Sequence, residues 1–125
     1  MNLSTINFSG DKMPILCTIS VLEKIQAEFG NITNFSEKLV PVGKKKQENW
    51  MPDIHAIAYA LPLFIDEGIA AYNETHNIKI EKVEPEKLFR KLDQPILSVS
   101  LALYKELWRS INAPKPQPHD ETNRN

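Results

Sequence analysis

Few side chains in this chain could carry a reaction: one cysteine, Cys17; three histidines, His55, His76 and His119; and the adjacent carboxylates Asp66 and Glu67. A cysteine nucleophile needs a histidine brought against it to hold the thiolate. Cys17 instead closes the alternation Met13, Ile15, Cys17 and reads as a small core residue. The histidines are widely spaced, and none has a second histidine or a carboxylate at a metal-ligand interval such as HExxH. His55 follows Asp53 at the margin of an amphipathic stretch and reads as a surface or capping residue, His76 falls in an expected loop, and His119 lies in a polar terminal segment. None of these places holds a ligand with the precision that catalysis requires. Neighbouring positions on a helix point about 100° apart, so Asp66 and Glu67 do not converge on one substrate. The glycines Gly10, Gly30, Gly43 and Gly68 stand alone, whereas a phosphate cradle needs them clustered. The expectation is a non-enzymatic protein with no catalytic, metal or cofactor residues.

Composition narrows the partners. Fifteen Lys+Arg against 16 Asp+Glu leave a formal charge of −1 over 125 residues, too even a balance to favour nucleic acid or an anionic membrane surface. The run Lys44-Lys45-Lys46 has Glu48 beside it and no interleaved aromatic residue, and reads as a solvated loop. A single cysteine excludes an internal disulfide framework and suits a reducing compartment. The uncharged stretch from Ile54 to Ile65 covers twelve residues and includes His55 and Pro62, against about 20 needed to span a bilayer. A soluble, cytoplasmic protein is expected. With 42% hydrophobic residues there is enough apolar material for one core.

Residue patterns predict an α+β, mostly helical domain over 1–112. Leu3, Ile6 and Phe8, a Ser9-Gly10-Asp11-Lys12 turn, and Met13, Ile15 and Cys17 predict a β-hairpin with Pro14 on an outer edge. A helix over 20–29 is expected from the Ser20/Glu23 capping box, the stripe Val21, Leu22, Ile25, Phe29 and the stop at Gly30. Asn34 and Glu37 predict a second helix, 34–39, ended by Pro41, and then an exposed connection to Met51. Pro52 and Asp53 open a long helix, 53–73, with Ile54, Ile57, Ala58, Leu61, Phe64, Ile65, Ile69 and Tyr72 on one stripe and a kink expected at Pro62. The helix is apolar nearly all round, so it is central or covered by a partner. Residues 77–80 alternate briefly and could add a third short strand. Glu84-Pro85 opens a short helix to about Asp93, with Leu88, Phe89 and Leu92 inward. From Ala113 to Asn125 the chain is polar and proline-rich, the composition of a disordered tail.

The last helix, 95–112, has the most unusual pattern. Ile96, Val99, Leu103, Leu107 and Ile111 form one stripe, and Leu97, Leu101, Tyr104 and Trp108 form a second beside it. Together they cover about 200° of the helix, where a surface helix needs little more than 100°. The polar remainder is a narrow strip of Ser98, Lys105 and Arg109, with Glu106 at its margin. Half of this arc is either clasped within the domain or presented to another chain. Leu97, Leu101, Tyr104 and Trp108 are therefore the candidate protein-interaction residues, with Trp108 a natural interface anchor or an ordinary packing residue. Trp50, beside Met51 and Pro52, reads as a staple of the loop onto the long helix. A self-complementary arc would also allow homo-oligomerisation.

The succession FSGDKMPI, CTISVLEKIQAEFGNITNFSEKL, MPDIHAIAYALPLFIDEGIAAYN and ILSVSLALYKELWRSI resembles the tail assembly chaperones of long-tailed phages and prophages, over about residues 6–112. The resemblance is one of pattern, since that family has no catalytic signature. It implies a protein of the bacterial host cytoplasm that binds the aggregation-prone tape-measure protein, helps to recruit tail-tube subunits and is absent from the finished virion. It also implies that a longer product is often made by frameshifting near the C-terminus. The alternative is a small regulatory or nucleic-acid-binding helical protein of phage or prophage origin. Its short helices 34–39 and 85–93 would then be recognition elements and Lys44-Lys45-Lys46 would touch phosphate, which the near-zero net charge disfavours.

Overall fold

The computed structural model describes residues 3–41, 50–77 and 79–114. It is α+β and mostly helical: β1 (Ser4–Phe8), β2 (Asp11–Ile15), α1 (Ile19–Phe29), α2 (Ile32–Leu39), α3 (Ile54–His76), α4 (Pro85–Lys91) and α5 (Ile96–Asn112). The two strands pair antiparallel in the register Ile6↔Met13, with Phe8↔Asp11 closing the turn. The turn is tighter than expected. Only Ser9 (φ 51°) and Gly10 (φ 89°) lie between the strands, both with positive φ, as a twist-matched two-residue hairpin turn requires, and Asp11 and Lys12 belong to β2.

Helix α3 is the central element, with Ala56, Ile57, Ala60, Leu61, Phe64, Ile65, Gly68, Ile69 and Ala71 all buried. It runs through Pro62 without a break, three residues beyond the expected end. Asp53 caps it by accepting the Ala56 N–H at 3.0 Å. Ile54, placed on the inward stripe by periodicity, is exposed instead, because the core face begins only at Ala56. The free edge of β2 lies against α3. There the Leu16 N–H donates to the Phe64 carbonyl at 3.0 Å, and the Pro14 carbonyl meets Gly68. Pro14 has no N–H to pair, so this helix-facing edge suits it.

Helix α1 starts at Ile19 with Thr18 as its cap, not Ser20. The Thr18 side chain accepts the Val21 N–H, while Ser20 is exposed and bonded to Lys24. Gly30 ends the helix with φ 90°. Helix α2 starts two residues before the expected Asn34, because the Asn31 side chain accepts the Asn34 N–H at 2.7 Å and fixes an earlier first turn. In α4, Leu88 is buried and Leu92 half-buried, but Phe89 stands at the surface, contrary to its expected inward position.

No third strand forms at 79–80; residue 78 lies outside the described residues. The Ile80 backbone N–H and carbonyl are taken by the side-chain amide of Asn73, at 2.9 and 3.0 Å, so a helix side chain replaces the strand partner. The outer edge of β1 is instead met by the α4–α5 junction. Phe8 bridges Leu92, the Asp93 N–H donates to the Asn7 carbonyl, and the Asn7 N–H donates to the Gln94 side chain. One buried cluster draws on the hairpin and all five helices, from Ile6 and Phe8 to Phe35, Phe64, Leu88 and Leu103. The connection 42–49, with Lys44-Lys45-Lys46, and the expected tail from residue 115 lie outside the described residues.

A Cβ built on Gly68 would sit 2.2 Å from the Pro14 carbonyl oxygen and 2.8 Å from the Ile15 nitrogen, both backbone atoms. Gly68→Ala must therefore push the hairpin off α3, although alanine is the better helix former. Urea unfolding should show a loss of about 3 kcal/mol, at the upper end for overpacked sites.

Candidate functional site

The four candidate residues on α5 divide into two pairs. Leu97 and Leu101 are 55% and 44% exposed. Tyr104 and Trp108 are half-buried against the core, and the Trp108 indole N–H donates to the Ser36 hydroxyl of α2 at 2.9 Å. Trp108 therefore serves the α2–α5 contact. A serine makes that close approach possible: Ser100, 1% exposed, donates its hydroxyl to the Leu39 carbonyl at the end of α2. Ile111, expected inward, is largely exposed near the helix end.

Ile96, the residue before Leu97, lines an apolar groove of about 250 Å³. Helix α3 contributes Ile54, Ile57, Ala58 and Leu61, and the α4 side contributes Phe89 and Leu92. Ile54 and Phe89, two of the residues that departed from their expected inward places, thus line one groove. Periodicity could not find it, because the groove exists only where three helices meet.

A second feature, also missed by the sequence, sits near the other end of α5. Glu106 was placed at the margin of a solvated strip, yet it is 4% exposed. One carboxylate oxygen accepts the Cys17 N–H at 2.8 Å, and Arg109 grips both oxygens, through Nε at 3.0 Å and Nη2 at 2.7 Å. Arg109 also donates to the Cys17 carbonyl at 3.4 Å and the Pro114 carbonyl at 3.0 Å. This buried charge pair ties α5 to the β2–α1 junction and holds the chain just past the end of α5. Its hydrogen bonds to Glu106 raise the Arg109 guanidinium above its usual pKa. Burial first, and then the Glu106 charge, push the Cys17 thiol up to about 11, away from the range of a nucleophile.

The other polar candidates have ordinary partners. His55 is exposed, with Nε2 2.9 Å from a Glu28 carboxylate oxygen, and packs near Phe29. His76 is the last residue of α3, not a loop residue, and stacks on Tyr72 at 3.9 Å. His119 lies outside the described residues. Asp66 and Glu67 diverge as expected, to Lys82 at 3.9 Å and to the Thr18 hydroxyl at 3.0 Å, so each ties elements together as well as adding polarity. An open polar groove of about 540 Å³ is lined by Glu28, Asp53 and His55 among others, but Asp53 already caps α3 and pairs with Lys38. Among the described residues no group of three or more His, Cys, Asp and Glu could hold a metal ion. At 23 residues, α3 is long and apolar enough to cross a bilayer, but half of its most apolar window is buried by the rest of the fold, as in a core helix.

No family model, curated protein or solved structure matches the chain.

Removing Arg109 would strand a buried carboxylate. Arg109→Met should cost about 3 kcal/mol, the low end for breaking a buried pair, and the double variant Glu106→Gln/Arg109→Met should recover part of that loss; paired urea titrations measure both. The raised thiol pKa stabilises the fold below the unfolded value of 9.0, and this contribution is lost as pH rises towards about 11. Iodoacetamide at pH 8 should leave Cys17 unmodified in the folded chain and alkylate it readily in urea, as mass spectrometry would show.

Proposed function

We propose that this chain is a non-enzymatic protein-binding module: a tail assembly chaperone of a long-tailed phage or prophage, acting in the host cytoplasm. Its client is the tape-measure protein, whose apolar helical stripes it covers while tail-tube subunits are brought in. The observation that carries this reading is the exposure of Leu97 and Leu101 on α5, the helix whose Ile96 also lines an apolar groove with α3 and Phe89. Such a face, uncharged and set among helices, suits the apolar side of an amphipathic client helix. The pattern resemblance over residues 6–112 supplies the identity of the client. No metal or cofactor enters the reading, and nucleic acid has no basic surface to meet among the described residues that line the face.

Co-expression with the tape-measure protein encoded nearby tests it. The client should become soluble and co-purify with the parent chain. Leu97→Asp and Leu101→Asp should each lower the captured client by about tenfold, equivalent to 1.4 kcal/mol, with melting temperatures close to the parent. Trp108→Asp should instead destabilise the fold, because it removes the bond to Ser36. A client that stays insoluble and unbound in the presence of the parent chain would refute the proposal.

A further inference from the structure

The edge of β2 runs antiparallel along α3 in a regular step. Leu16 meets Phe64 and Pro14 meets Gly68, two strand residues for each four of the helix. Two strand residues advance about 6.6 Å and four helical residues about 6 Å, so the match carries on to place Lys12 at the level of Tyr72. There Lys12 and Tyr72 line a recess of about 270 Å³, together with Thr5, Met13 and Pro14 of the hairpin. Leu3, just before β1, and Ile80 complete its wall. The Asn73 amide fixes the Ile80 backbone through two hydrogen bonds, and the Tyr72 ring is held by its stack on His76. The wall is therefore formed without a ligand.

The polar side chains of this recess are uncommitted. Among the described residues the Lys12 ammonium and the Thr5 and Tyr72 hydroxyls have no hydrogen-bond or ion-pair partner. No carboxylate lines the recess, so the Lys12 charge is not compensated there. Three donors, one of them cationic, suit a carboxylate, which only accepts. Leu3, Met13, Pro14 and Ile80 make up the rest of the wall and suit an apolar group. Two other grooves lack this combination. The α3–α4–α5 groove has no polar residue, and at His55 the charges are paired, Lys38 with Asp53 and His55 with Glu28. At roughly 30 Å³ of liquid volume per water, the recess holds the equivalent of about nine waters, which fits a ligand on the order of ten heavy atoms. We propose that this recess binds a small amphipathic carboxylate, its anionic group met by Lys12, Thr5 and Tyr72 and its short tail by Leu3, Met13, Pro14 and Ile80.

The site stands on the hairpin–α3 junction and not on the chaperone reading, and its test contains no client. Sodium hexanoate is titrated into the isotope-labelled full chain and followed by two-dimensional NMR. Saturable shifts are expected at the amides of Thr5, Lys12, Met13, Tyr72 and Ile80, with a dissociation constant of about 1 mM, the scale of a ligand this small. Acetate, which lacks the tail, and hexylamine, which carries the opposite charge, should not saturate these amides. Lys12→Met should weaken hexanoate by about tenfold, the loss of one charged hydrogen bond, and Thr5→Phe should block the recess. Lys105→Met, at an exposed site on α5, should bind as the parent does. Lys12→Met changes one exposed strand side chain, so it tests the site even where Thr5→Phe disturbs the hairpin, and circular dichroism melts identify such a disturbance. Absence of saturation in the parent, shifts centred on the α3–α4–α5 groove, saturation by acetate equal to that by hexanoate, or undiminished binding by Lys12→Met overturns the proposal. A chain that takes hexanoate here and captures no tape-measure protein would remove the chaperone reading alone, and the converse would remove only this inference.

Discussion

The hairpin rests on α3 through a contact that only glycine permits. A two-stranded hairpin is marginal in water by itself and needs a surface to cover its apolar face. Here that surface is the middle of α3, where Gly68 lets the Pro14 carbonyl come within the space of a methyl group and where the Leu16 N–H finds the Phe64 carbonyl. With β2 fixed edge-on against the helix, Ile6, Phe8 and Ile15 turn into the shared core. The outer edge of β1 is then left to the α4–α5 junction, which meets it at Asn7 and Phe8. The positions of α4 and α5, and so of the groove between them and α3, follow from that first contact.

Helix α5 is held at two places by different means. Near its C-terminal end the Glu106–Arg109 pair locks onto the backbone of Cys17, a strong and directional tie that depends on charge remaining paired in a buried place. Ser100 in its second turn and Trp108 next to Arg109 bring it close to α2 through small polar contacts. In the first two turns of α5, Leu97 and Leu101 stay exposed. The apolar arc of about 200° thus resolves into a buried face, a face shared with α2, and a short free face. Buried and exposed apolar residues are both present on one helix.

Much of this architecture was legible from residue pattern. The hairpin, the central apolar helix, the short proline-opened helix and the wide apolar arc all follow from periods of 2 and 3.6 and from turn and cap residues. The errors share a cause. Ser20 looked like a cap because it has Glu23 three residues on, but Thr18 was also available, and it is placed to bond Glu67 from another helix. The alternation at 77–80 looked like a strand, but Asn73 supplied the missing hydrogen bonds from a side chain. Glu106 looked solvent-facing because it is charged, yet Arg109 one turn later compensates it, and that i, i+3 spacing was the one available signal.

By itself the sequence determined what is local: which segments are helical or extended, and where their apolar stripes lie. Those features depend on neighbours within about one helical turn, so they are written in spacing. Only the tertiary structure decided which part of each stripe is covered. Burial of Ile54, Phe89, Leu97 and Glu106 depends on elements far away in the chain, and no periodicity encodes how three helix ends meet. The groove belongs to that second kind of information: its residues come from α3, α5 and the end of α4, and they meet only in the folded chain.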